Sequence, residues 1–160
     1  MNTFKFQTSS PLETMRLAEL FARFCKGGEI FCLYGTIGTG KTVFVQGFAG
    51  ALGSKDVPVS ASFNLMKTYR GKLDIVHFDL FRIMEWEIAN LGIEDYIDGK
   101  NSVLVIEWAK PAEHLFLSDD IIKIYISLEG GDNRDIKVRV TGPRPSEILK
   151  KVIKTWKPKP

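Results

Sequence analysis

Apolar positions along the chain follow two rhythms, one of period two and one near three and a half. Residues Thr3 to Gln7 alternate as a half-buried strand does. Ser10-Pro11-Leu12-Glu13 then supplies a helix N-cap, a proline suited to the first turn and a capping-box glutamate. Leu17, Leu20, Phe21 and Phe24 recur at helical spacing, and Gly27-Gly28 suits the end of that helix. Ile30-Phe31-Cys32-Leu33-Tyr34 is a continuous apolar run too short for a helix, as expected of a strand covered on both faces. From Val43 to Leu52, Phe44, Phe48 and Leu52 return at helical spacing until Gly53 stops the pattern.

Further on, Phe63 to Arg70 and Leu73 to Asp79 read as an antiparallel pair turning at Arg70-Gly71-Lys72. A polar, partly helical stretch from Met84 to Asp98 leads to Val103-Leu104-Val105-Ile106, a second buried strand ending on Glu107-Trp108 and expected beside Ile30 to Tyr34. Ile121 to Leu128 and Ile136 to Val140 flank Glu129-Gly130-Gly131-Asp132-Asn133, a turn that predicts another hairpin. A short last helix is expected from Ser146, with Pro143, Pro145, Pro158 and Pro160 pointing to frayed final residues.

Composition narrows this picture without redirecting it. A chain of 160 residues with 44% apolar content can bury one core, so residues 1–160 are read as one domain. A net charge of +3 is too mild to argue a dense nucleic-acid stripe. Cys25 and Cys32 lack zinc or redox spacing and are expected to be reduced, buried and inert. The N-terminus has no signal-like apolar core, and no apolar run reaches the ~20 residues of a membrane span. A cytoplasmic protein with no membrane partner is the expectation.

Between the first buried strand and the second helix stands Gly35-Thr36-Ile37-Gly38-Thr39-Gly40-Lys41-Thr42, the spacing of a P-loop. Gly35, Gly38 and Gly40 let the backbone turn so that the N–H groups of 36–42 face phosphate oxygens, and the following helix adds its positive end. Lys41 is expected on the β- and γ-phosphates, and Thr42 as one ligand of Mg2+. The fold expected is α/β, a single P-loop NTPase domain with a mostly parallel central sheet, antiparallel hairpins and flanking helices. ATP and Mg2+ are the expected cofactors.

Hydrolysis on such a loop also requires a carboxylate near the metal and the attacking water, at the end of a neighbouring strand. Glu107, after four aliphatic residues, is the stronger candidate, and Asp79 the second. In His77-Phe78-Asp79-Leu80-Phe81-Arg82 the imidazole and carboxylate share a strand face. Arg82 could steady phosphate charge, but spacing alone favours an Arg82–Asp79 pair and a His77 bond to a carbonyl. Ser60-Ala61-Ser62 reads either as a phosphate-side loop or as an ordinary serine-rich turn.

The ordered set of Gly35 to Thr42, Ser60-Ala61-Ser62-Phe63, His77 to Arg82, Leu91-Gly92-Ile93, Asp95-Tyr96 and Ile106-Glu107-Trp108 resembles the TsaE (YjeE) family. The likeness spans about residues 8–108. It implies a small ATPase that supports TsaD and TsaB in placing threonylcarbamoyl on adenosine 37 of tRNA without itself forming the new bond. The resemblance puts Thr42 and Glu107 on the metal, Asp79 near the metal and water, and Trp108 beside the active site. It sets the adenine near Ser9, Ser10 and Pro11, and Ser62 keeps the hydroxyl of a family threonine. The family usually has an acidic residue at Thr36, Ser-Pro-Thr at Ser60-Ala61-Ser62, Tyr at Phe81 and Pro at Ala109.

Two other functions fit a short P-loop chain: a small-molecule or nucleoside kinase, and a nucleotide-gated binding module that needs no hydrolysis. A kinase usually carries a basic lid, and the segment after Glu107 offers Lys110 but no arginine before Arg134. The lysines at 150, 151, 154, 157 and 159 could attract tRNA brought by the complex, or form a solvated helix face.

Overall fold

The computed structural model describes residues 2–59, 64–116 and 120–158. Seven strands form one sheet in the order β1-β7-β6-β2-β5-β4-β3. They are β1 (Asn2–Thr8), β2 (Ile30–Tyr34), β3 (Met66–Tyr69), β4 (Asp74–Asp79), β5 (Ser102–Glu107), β6 (Ile121–Leu128) and β7 (Arg134–Thr141). The inner four, β6-β2-β5-β4, run parallel, while β7 with β1 at one edge and β3 at the other pair antiparallel. This is the mixed architecture expected from the sequence, with both predicted hairpins present and β5 beside β2.

Strand alternation divides the core in two. On β5, Val103 and Val105 enter the layer beneath α1 (Pro11–Phe24), α2 (Lys41–Ala51) and α3 (Pro143–Thr155). Leu104 and Ile106 enter the opposite layer with Ile88, Ile93, Ala112 and Phe116, contributed by three short 3-10 helices. Both faces of the central strands are therefore covered, which explains why β2 and β5 are uninterruptedly apolar. The partly helical stretch expected from Met84 to Asp98 resolves into two of these turns, Glu85–Asn90 and Ile93–Tyr96.

Helix α1 is capped by Ser10, whose hydroxyl accepts from Glu13 N at 3.1 Å, a contact on the order of 1 kcal/mol. The reciprocal bond shifts by one residue: Glu13 Oε2 accepts from the N–H and hydroxyl of Ser9, at 2.7 and 2.9 Å, rather than from Ser10. Leu17 and Phe21 are buried on the sheet side as their spacing requires. Helix α3 starts at Pro143, ahead of the expected Ser146, because prolines in a first turn sacrifice only N–H groups that have no helical partner. Phe63 and the Ser60-Ala61-Ser62 loop lie outside the described residues.

No helix of the described residues is long and apolar enough to cross a membrane. Cys32 is buried and Cys25 partly buried, both as free thiols. Burial drives the Cys25 thiol well above its ordinary range and pushes Cys32 up to about 12, with Lys123 opposing weakly at the latter. Both therefore stay protonated and unreactive at neutral pH.

Candidate active site at the phosphate loop

Strand β2 ends at Tyr34, and the loop from Gly35 carries the chain to the first residue of α2, Lys41. Gly35, Gly38 and Gly40 all have positive φ, at 152°, 81° and 105°. At Gly35 space is decisive as well, since a Cβ would lie 2.5 Å from Thr39 Oγ1 and 2.6 Å from Ile126 O. The chain that leaves β2 is thereby folded back over its own strand end, with Thr39 N and Oγ1 both donating to Thr36 O. Thr36, Ile37 and Gly38 are left exposed at the crest of the loop.

Lys41, Thr42, Asp79, Phe81, Glu107 and Trp108 converge with this loop on a cleft of about 350 Å³. The parallel register sets Asp79 directly beside Glu107 at the ends of β4 and β5. Thr42 Oγ1, from α2, donates to Glu107 Oε1 at 3.3 Å, so the sequence-predicted metal pair is brought together. Asp79 Oδ1 accepts from Phe81 N at 3.0 Å, which turns the chain sharply after β4.

The Lys41 ammonium donates to Gly35 O at 2.6 Å and Thr36 O at 3.0 Å, and lies 4.3 Å from the centre of the Trp108 ring. Burial lowers its pKa below the ordinary 10.5, against the opposing pull of Glu107 and Asp79. Trp108 holds φ at 55°, a left-handed conformation that is uncommon for a bulky residue and occurs here immediately after the strand-end Glu107. Its N–H donates to Leu33 O, and its ring tilts against Phe81 at 4.8 Å, so the strained turn is fixed from both sides.

Two spacing-based readings are corrected. His77 does not bond a carbonyl: its Nε2 sits 3.0 Å from Glu107 Oε1. Arg82 forms no ion pair with Asp79 among the described residues; it is exposed, with its guanidinium 5.9 Å from the Phe81 ring. The turn after Asp79 carries Arg82 out of the strand, whereas the β4–β5 register, with His77 opposite Val105, sets His77 within reach of Glu107. Ser62 lies outside the described residues.

Arg134 has no place in the expected site, yet it braces it. Its Nε donates to Thr39 O at 2.9 Å, tying the start of β7 to the phosphate loop. Beside it a second cleft, of about 410 Å³, is lined by Thr8, Ser9, Glu13, Asn133 and Arg134 among others. Ser9 thus faces a space next to the loop, whereas the Ser10 hydroxyl is engaged as the helix cap and Pro11 is exposed in the first turn. Nothing in the spacing of Arg134 signals this contact, which depends on the hairpin returning past β2.

The donor set suits a hard divalent cation. Thr42 and Glu107 offer oxygen ligands, a hydroxyl and a carboxylate. A site with one or two protein oxygens, completed by phosphate and water, is what Mg2+ favours. The glycine loop and the N-terminus of α2 fit the phosphates for the reasons the sequence suggested.

Comparison with known proteins gives the family of the chain. The family model described as "Threonylcarbamoyl adenosine biosynthesis protein TsaE" matches residues 8–136. The tRNA threonylcarbamoyladenosine biosynthesis protein TsaE of Bacillus subtilis is 37% identical over 145 residues, covering 90% of each chain. That of Treponema pallidum is 30% identical over 130 residues, covering 81% of this chain and 95% of the relative. The crystal structure of Bacillus subtilis YdiB superposes with a TM-score of 0.83 at 30% identity, over 96% of this chain and 95% of that one.

Proposed function

This chain belongs to the TsaE family of tRNA threonylcarbamoyladenosine biosynthesis, and from that premise we propose that it binds ATP with Mg2+ in the phosphate-loop cleft and hydrolyses it in support of TsaD and TsaB homologues. The product of that larger assembly is N6-threonylcarbamoyladenosine at position 37 of tRNA; the chain itself forms no threonylcarbamoyl bond. The observation that carries the reading is the meeting of Thr42 and Glu107 at 3.3 Å, beside Asp79 and Lys41, in one cleft under a glycine loop.

Charge supports the same conclusion. Two carboxylates and one ammonium line the cleft, a balance that repels a triphosphate unless a cation is shared between them. When bound, Mg2+ would neutralise charge on the β- and γ-phosphates as the bond to the leaving oxygen lengthens. Thr42 and Glu107 would hold it. Loop N–H groups other than that of Thr39, which Thr36 O accepts, would orient the phosphates, and Lys41 would exchange the carbonyls of Gly35 and Thr36 for phosphate oxygens. Asp79 would orient the attacking water, and Arg82 would steady charge on the γ-phosphate. By the resemblance Ser9, Ser10 and Pro11 would bound the adenine side, and of the three Ser9 lines the cleft beside Arg134.

ATP labelled on its γ-phosphate distinguishes this reading from a kinase. With Mg2+ and the TsaD and TsaB homologues present, the label is expected in inorganic phosphate. Its transfer to a nucleoside or small metabolite would replace the ATPase reading with a kinase.

A further inference from the structure

His77 is fully buried below the phosphate-loop cleft, on the face of β4 that points toward α2. Its Nε2 lies 3.0 Å from Glu107 Oε1, the same oxygen that accepts from Thr42. A carboxylate oxygen can only accept, so the hydrogen of this bond sits on Nε2 of the imidazole. The other ring nitrogen, Nδ1, is buried and has no hydrogen-bond partner among the described residues. The Tyr69 ring, 6.1 Å away on β3, backs the imidazole. The Glu107 side chain is therefore gripped at one oxygen, by a donor from β4 and a donor from α2. Oε2 makes no hydrogen bond among the described residues, and Glu107 lines the cleft.

We infer that His77 is a positioning residue for the metal-side carboxylate: its Nε2–H fixes the rotamer of Glu107, so that the carboxylate meets the cation already oriented. The inference rests on the reading of Glu107 as a metal ligand given above. An oriented ligand loses less freedom on binding, and outer partners of this kind commonly govern metal affinity. The role differs from core filling, which any side chain of similar volume would satisfy.

Direct binding of Mn2+, a spectroscopic substitute for Mg2+, tests it without turnover. Free Mn2+ is followed by electron paramagnetic resonance as it titrates the full chain with a non-hydrolysable ATP analogue, and melting temperature is recorded for each variant. His77→Asn is expected to weaken Mn2+ binding about tenfold, the lower end for losing an outer partner, and Glu107→Ala, which removes the ligand itself, by more than that. His77→Gln, whose amide nitrogen reaches close to the Nε2 position, is expected to keep affinity within about threefold of wild type. Retention by glutamine and loss by asparagine, with both variants folded, supports positioning. Equal effects of the two, or normal affinity in His77→Asn while Glu107→Ala is impaired, overturn the inference and leave the metal role of Glu107 standing. Normal affinity in Glu107→Ala overturns that role and the inference with it.

Discussion

The ammonium of Lys41 lies 4.3 Å from the centre of the Trp108 ring, and Trp108 holds φ at 55°. A left-handed residue without glycine's freedom costs roughly 1–2 kcal/mol, comparable to what a desolvated cation–π contact returns. Strain and contact therefore belong to one arrangement, which places an aromatic wall on the phosphate side of the cleft.

Separating the two terms gives a first expectation. Trp108→Ala loses the ring and keeps the strain, whereas Trp108→Gly loses the ring and relieves it. In urea denaturation the glycine variant should be about 1 kcal/mol more stable than the alanine variant. Equal stabilities would mean that the backbone at 108 is not strained.

The crossing of α1 and α2 gives a second. A Cβ on Gly47 would stand 2.4 Å from Met15 O and 2.6 Å from Met15 Cα, backbone atoms that cannot move aside cheaply. Gly47→Ala should lower stability by roughly 1–3 kcal/mol. On the same helix Gly50 has no such neighbour within 4 Å, so Gly50→Ala should be neutral or gain up to about 1 kcal/mol. Chemical denaturation of the pair checks both signs.

A third expectation concerns pH. Burial pushes the Glu113 carboxyl upward, but the Tyr34 hydroxyl at 2.6 Å and the Lys123 ammonium at 3.3 Å outweigh it and hold its pKa below the ordinary 4.5. A carboxylate depressed in the folded state stabilises fully above its unfolded pKa and loses that contribution as pH falls through the folded value. Glu113→Gln should thus cost on the order of 1 kcal/mol at neutral pH. Below pH 4.5 the difference from wild type should shrink, as read from denaturation midpoints across pH. A difference that stays constant would assign the cost to packing.

The sheet was legible because β2 and β5 are apolar on both faces and because turn residues mark each hairpin. The phosphate loop was legible for a different reason: Gly35, Gly40, Lys41 and Thr42 stand at fixed spacing along one segment. Glu107 could be reached too, as the polar residue that ends a buried run. What escaped depends on register between strands distant in sequence. His77 meets Glu107 only because β4 lies beside β5, and Arg134 meets Thr39 only because the β6–β7 hairpin returns past β2. Local spacing instead suggested Arg82 and Asp79 as partners, and the turn at Phe81 separates them. Helix α3 begins three residues ahead of Ser146 because Pro143 and Pro145 fit its first turn.

The proposed function requires that hydrolysis at this cleft, rather than nucleotide binding alone, serves tRNA modification. The most direct measurement is threonylcarbamoylation of tRNA by TsaD and TsaB homologues reconstituted with wild-type chain, Lys41→Ala or Glu107→Ala, alongside ATP affinity for each. Both variants are expected to lose modification on the order of a hundredfold, with Glu107→Ala still able to bind ATP. Full modification by Glu107→Ala, with Lys41→Ala inactive, would show that binding suffices and would contradict the hydrolytic role proposed for Glu107.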